Sequence, residues 1–143
     1  MTEAQAIEAM TQRWIDAWPG LQPSVPYTFR GEAMDAAPAW ARVTFRPSLR
    51  LQATLGRPAR FEDRGTIFVQ LFSDVGGGEL ALVTLAESVR AVYESRTIGS
   101  EELVTFAATR RFGGDDGRGG TVVDDGRWIM SVMTIPYWFD EQK

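Results

Sequence analysis

The seven residues Thr66-Ile67-Phe68-Val69-Gln70-Leu71-Phe72 do most to narrow the folds open to this chain. Side chains alternate faces along a strand, so Ile67, Val69 and Leu71 fall on one face and Phe68 and Phe72 on the other. A strand apolar on both faces lies in the middle of a sheet or is covered by a partner. The rest of the chain supplies the remaining parts of such a sheet. Residues 39–46 alternate, with Ala39, Ala41, Val43 and Phe45 on one face and Trp40, Arg42, Thr44 and Arg46 on the other, the pattern of a half-buried strand that Pro47 is expected to end. Segment 49–55 reads as a second, weaker strand, Gly56-Arg57-Pro58 as a turn, and residues 25–29 as a short extended piece before a loop over 31–38. Residues 101–112 and 121–137 read as two long strands joined by a glycine-rich, flexible loop over 113–120.

Two stretches carry helical periodicity instead. Ile7, Met10, Trp14 and Trp18 share one face of a helix that Thr2 can cap and that Pro19-Gly20 is expected to stop. Leu82, Leu85, Val89 and Val92 share one face of a second helix over 79–95. Strands joined by short turns, with two amphipathic helices to cover them, predict an α+β fold with a mainly antiparallel sheet. With 143 residues, 1–143 is expected to form one domain, because two would each be too small to bury a good core.

Composition narrows the chemistry. The chain has no His and no Cys. This removes the usual base near neutral pH, the common nucleophile–base pairs and the usual zinc ligands, leaving only carboxylate, Lys, Tyr or Arg chemistry. No disulfide framework is possible, no apolar run is long enough to span a membrane, and the N-terminus lacks the basic and apolar regions of a secretory signal, so cytosolic synthesis is expected. A net charge of −4 argues against a broad nucleic-acid-binding face. Lys143 is the only lysine, and a basic set made of arginine suits contact surfaces, where Arg is favoured and Lys depleted.

Each remaining feature has a plainer reading beside its chemical one. The loop Ser73-Asp74-Val75-Gly76-Gly77-Gly78 sits between strand and helix, where phosphate loops sit, but has neither a following Gly-Lys-Ser/Thr nor G-x-G-x-x-G spacing, so it reads as a turn. Asp115, Asp116, Asp124 and Asp125 fit no defined calcium loop and read as solvated turns. Glu62-Asp63 and Glu101-Glu102 are adjacent in strands and so point to opposite faces, which does not suit a glycosidase-type pair. No cofactor, metal or catalytic residue is expected. Trp40 among Arg42 and Arg46 fits a contact surface or a Trp lying under a loop. Tyr137-Trp138-Phe139, near the C-terminus, are expected to dock on the domain or on a neighbouring subunit.

In order, these elements resemble the tail-terminator-like family of long-tailed phages. The resemblance runs through a first helix ending in Trp18-Pro19, the strand with Ala39-Trp40-Ala41-Arg42-Val43, the turn Leu55-Gly56, Arg64-Gly65 leading into Ile67-Phe68-Val69-Gln70-Leu71-Phe72, the turn Gly76-Gly77-Gly78, and an aromatic, acidic end. It covers nearly the whole chain, though the loop 113–120 has no counterpart in the family pattern. It implies a sheet with helices packed on it and a non-enzymatic virion protein at the tail–neck junction, assembled in the host cytoplasm. Such a subunit would form a hexameric ring with copies of itself, cap the tail-tube protein, stop tube growth and present a surface to head–tail connector or neck proteins. No membrane would be involved, and DNA would only pass through the lumen.

A ring needs two different contact faces. Trp40, Arg42, Arg46, Arg50, Arg57, Arg60, Tyr137, Trp138 and Phe139 are the candidate subunit and tube contacts. Segment 50–60 is expected to be mobile in the free subunit, and Asp115, Asp116, Asp124 and Asp125 are candidates to line the lumen. The alternatives are another neck or head–tail connector protein and a small ligand-binding α+β domain.

Overall fold

A computed structural model describes residues 1–29, 38–56, 59–74, 78–94, 96–99, 104–108, 110–112, 121–123 and 128–142. Helix α1 (Glu3–Leu21) opens the chain. Its N-cap is Thr2, whose hydroxyl accepts from the Gln5 amide while the Gln5 side chain accepts from the Thr2 amide, a reciprocal pair that satisfies two otherwise orphaned donors. Ala6, Met10, Trp14 and Trp18 form its buried stripe. The expected stop at Pro19-Gly20 falls short, because the helix runs on to Leu21. Proline costs a helix the hydrogen bond to the carbonyl four residues back. In the last turn little helix remains to disrupt, and the Gln22 amide closes the end on the Trp18 carbonyl at 2.8 Å.

The sheet is built on three long strands: β2 (Ala39–Gln52), β3 (Arg60–Asp74) and β8 (Trp128–Gln142). The shorter strands are β1 (Tyr27–Thr28), β4 (Thr97–Ile98), β5 (Val104–Phe106), β6 (Arg110–Phe112) and β7 (Thr121–Val123), and α2 (Gly78–Tyr93) lies between β3 and β4. The order is β1-β2-β3-β8-β5-β4, with β6 and β7 also paired to β8, and the sheet curls into a half-barrel. The apolar 66–72 run lies within β3, which is flanked on one side by β2 and on the other by β8, the central place its composition requires. The sheet is mixed: β1 pairs parallel to β2, while the other pairings are antiparallel. The chain goes from β1 to β2 through residues 29–38 rather than a tight turn, and only a tight hairpin compels neighbours to run antiparallel.

Three strand boundaries also differ from expectation. Pro47 does not end β2, and segment 49–55 is not a separate strand. The register slips between Pro47 and Leu49, a bulge that passes the proline on a strand whose other side has β1 only at Ala41 and Arg42. Residues 101–112 are not one strand, since β5 and β6 are separate. The last strand does not stop at Tyr137 but carries the aromatic end into the ladder, pairing Tyr137 with Gly65, Trp138 with Arg64 and Phe139 with Asp63.

Both helices lie on the face that carries Val43, Ile67, Val69, Leu71, Met133, Ile135, Tyr137 and Phe139. There Trp14 stacks on Trp18 at 4.5 Å and lies beside Tyr93, whose hydroxyl donates to the Met10 carbonyl at 2.6 Å and ties α2 to α1. Arg13 reaches across to donate to the Val92 carbonyl at 2.9 Å, where a cation favours the C-terminal end of α2.

Burial raises the pKa of both Tyr93 and Tyr137, the latter to about 12, with Glu3 and Asp63 adding to the Tyr137 shift. A phenol that ionises later when folded than at its unfolded value of 10.0 takes stability away as pH rises through that value. Stability is therefore expected to fall by about 1–3 kcal/mol between roughly pH 10 and 12. Urea titrations at pH 8, 10 and 11 check this, and replacing either tyrosine with Phe is expected to flatten the profile.

Candidate assembly surface

Among the described residues no helix covers the other face of the sheet. Its rows follow from register: Trp40-Phe72-Met130, Arg42-Gln70-Val132, Thr44-Phe68-Thr134, Arg46-Thr66-Pro136 and, past the bulge, Leu49-Arg64-Trp138 and Leu51-Glu62-Asp140. Trp40 is fully buried here, stacked flat on Phe72 at 4.0 Å. The Arg42 guanidinium lies 5.2 Å from the Trp40 ring and 5.4 Å from Phe72, and donates to Gln70 Oε1 at 3.0 Å. Arg46 lies over Phe68 at 5.0 Å. Neither arginine has a carboxylate partner among the described residues.

Beyond the bulge β2 and β3 continue as an arm that the end of β8 accompanies throughout, down to Gln52, Phe61 and Glu141. Arg50 lies on the helix side of this arm, 4.6 Å from the Phe61 ring and ion-paired to Asp63 at 3.4 Å and Glu141 at 2.9 Å. On the opposite side Arg64 pairs with Glu62 at 2.7 Å and Arg60 with Asp140. Glu62 and Asp63 thus face opposite ways, as adjacent strand residues must. Solvent-exposed pairs of this kind are each worth up to about 1 kcal/mol, so their main effect is to hold the arginines in position rather than to stabilise the domain.

The candidate contacts therefore separate. Arg42, Arg46, Arg60 and Trp138 share the uncovered face, and Arg50 lies behind it. Trp40, Tyr137 and Phe139 are instead buried within the subunit. The alternation of β8 decides the aromatic triplet, turning Tyr137 and Phe139 into the helix-side core and leaving Trp138, 36% exposed, facing out. The segment 50–60, expected to be mobile, is strand at both ends, since Arg50, Leu51, Gln52 and Arg60 are in the ladders. Arg57, Asp115, Asp116, Asp124 and Asp125 lie outside the described residues, as do Glu101 and Glu102.

Sequence reasoning missed the apolar part of this surface. Leu49 is 50% exposed, Leu51 41%, and Leu55, beside the hairpin turn, 96%. Alternation continued from Ala41 and Val43 would turn Leu49 and Leu51 to the helix side, but the bulge between Pro47 and Leu49 flips them to the uncovered face, and Leu55 lies past the end of β2. Beside them an open groove of about 600 Å³ is lined by Ser48, Glu62, Arg64, Gly65, Thr66, Pro136, Tyr137 and Trp138. The face thus combines two arginines that have no carboxylate partner among the described residues with leucines, a proline and a tryptophan, the residue mixture of a protein–protein contact.

No family model matches this sequence, and no curated protein sequence matches it. Solved structures do share the fold. One is 16% identical, with a TM-score of 0.65 over 97% of this chain and 96% of its own. Another is a chain from the virion of a native gene transfer agent (GTA) particle, 12% identical, with a TM-score of 0.51 over 94% of this chain and 93% of its own. At these identities the likeness establishes a common fold.

Proposed function

We propose that the chain is a structural protein of a phage-like particle, a ring-forming subunit of tail-terminator type that caps the tail tube and offers the joining surface to the neck and head. The observation that carries this reading is the fold shared with a chain of a gene transfer agent virion along nearly the full length of both. The uncovered sheet face and the projecting arm support it, because a ring subunit on a tube needs contact surface well beyond what its own core uses. The absence of His and Cys from the sequence suits a role that requires no catalysis.

Particles assembled without the protein test the reading. Tubes several-fold longer than normal by negative-stain electron microscopy are the expected result. Tubes of normal length bearing no heads would reassign the chain to a neck or connector role, and normal particles would remove it from assembly altogether. Light scattering gives a second measurement. Six copies of the 15.9 kDa chain make a ring of roughly 95 kDa, expected either free or on added tube ends.

A further inference from the structure

The charges on the two sides of the molecule are unequal in kind. On the uncovered sheet face, Arg42, Arg46, Arg60 and Arg64 stand against Glu62 and Asp140, and the two ion pairs leave Arg42 and Arg46 over. On the opposite side, the solvent stripe of α1 presents Glu8, Gln12, Ile15 and Asp16. Glu8 and Asp16 have no cationic partner among the described residues. Arg13, the cation of α1, is turned inward to the carbonyls of Ala91 and Val92. Each side also exposes apolar side chains: Leu49, Leu51 and Trp138 on the sheet, Ile15 (39%) and Leu21 (41%) on α1.

We infer that the uncovered sheet face of one copy docks on the α1 face of a second copy, with Arg46 against the Glu8 and Asp16 stripe and Leu49 and Trp138 against Ile15. Charge complementarity selects this occupant. Two sheet faces brought together would oppose unpaired arginines, and two α1 faces would oppose unpaired carboxylates, arrangements that cost several kcal/mol. Sheet against helix cancels both. Because the two surfaces lie on opposite sides of one molecule, the contact is head-to-tail, and a head-to-tail contact generates a closed ring when its rotation closes. The inference names the self-contact within the ring proposed above and rests on that reading for its biological meaning, though the contact itself can be measured in the isolated protein.

The test uses two blocked forms of the full chain, Arg46→Glu with Leu49→Asp on the sheet, and Glu8→Arg with Asp16→Arg on α1, each checked for wild-type circular dichroism and melting. Light scattering is expected to show the wild-type protein assembling with concentration. Each blocked form is expected to remain at the chain mass, its association weakened by about 100-fold or more. A one-to-one mixture of the two is expected to associate again, since one wild-type pair of faces survives in it and the reversed charges of the other pair are themselves complementary. Assembly of the α1 form at wild-type strength overturns the inference, as does a mixture that fails to associate or a wild-type protein that stays monomeric at every concentration. Tail length in particles carrying the blocked forms separates the two ideas. Blocked forms that cannot associate yet give tails of normal length would leave the contact standing and sink the ring reading. Forms that associate normally would sink the contact and leave that reading untouched.

Discussion

Trp14→Ala is expected to lower the free energy of unfolding by about 3–5 kcal/mol, a large share of the roughly 5–15 kcal/mol that holds a domain folded. Trp14 has no exposed surface and lies where α1, α2 and β1 meet, with Trp18 at 4.5 Å, Tyr27 at 6.0 Å and Tyr93 at 6.2 Å. Its indole Nε1 has no hydrogen-bond partner among the described residues, so truncation removes packing and leaves no orphaned acceptor behind. The cost is then the transfer of a large aromatic plus the cavity it leaves. Trp14→Phe keeps an aromatic ring in the cluster and is expected to cost less than about 2 kcal/mol. Urea denaturation followed by circular dichroism checks both values. An alanine variant within 1 kcal/mol of wild type would mean that the helices are not held on the sheet through this cluster.

Gly65→Ala is expected to cost about 1–3 kcal/mol by overpacking, more than the same change at Gly20 or Gly56, where nothing lies within 4 Å of an added Cβ. A Cβ at Gly65 would meet the Tyr137 hydroxyl end and lie 2.7 Å from the Arg46 carbonyl oxygen, a backbone atom held in the β2–β3 ladder. Tyr137 is itself buried and cannot swing clear. Tyr137→Phe in the same chain removes the nearest atom and is expected to recover part of the loss, but not the part due to the ring carbon Cζ at 2.5 Å or to the Arg46 carbonyl. Gly56→Ala makes the contrast. Nothing lies within 4 Å of a Cβ there, but φ is 111°, so its cost of about 1 kcal/mol is backbone strain that no second-site change at Tyr137 relieves. Thermal melts of Gly65→Ala, Tyr137→Phe, the two combined, and Gly56→Ala form the check. Equal losses for Gly65→Ala with and without Tyr137→Phe would show that the hydroxyl is not what the glycine accommodates, since the ring carbon Cζ, 2.5 Å from the added Cβ, is kept in Phe.

What was legible in the sequence is what nearest neighbours along the chain decide. The two helices follow from the spacing of Met10, Trp14 and Trp18 and of Leu82, Leu85, Val89 and Val92, because 3.6-residue periodicity places such residues on one buried stripe whatever they pack against. The place of β3 at the centre of the sheet follows from its two apolar faces. The opposed directions of Glu62 and Asp63 follow from strand alternation alone.

The tertiary structure decided where local signals meet long-range competition. Pro47 reads as a strand end because it lacks a donor, yet pairing with β3 on one side and little on the other lets β2 pass it through a bulge. The aromatic end reads as a loose segment seeking a dock, yet pairing with β3 draws it into β8, and pleating then buries Tyr137 and Phe139 while turning Trp138 out. For Trp40 the sequence leaves both a contact surface and burial under a loop open, and in the structure it is out of solvent, stacked on Phe72, distant in sequence. Most consequential for function, the alternation that buries Ala41 and Val43 would, if unbroken, put Leu49 and Leu51 on the same face, yet both are exposed. The bulge between Pro47 and Leu49 shifts the alternation by one residue and turns both leucines to the face that no described helix covers, a change set by pairing with β3 rather than by the leucines themselves.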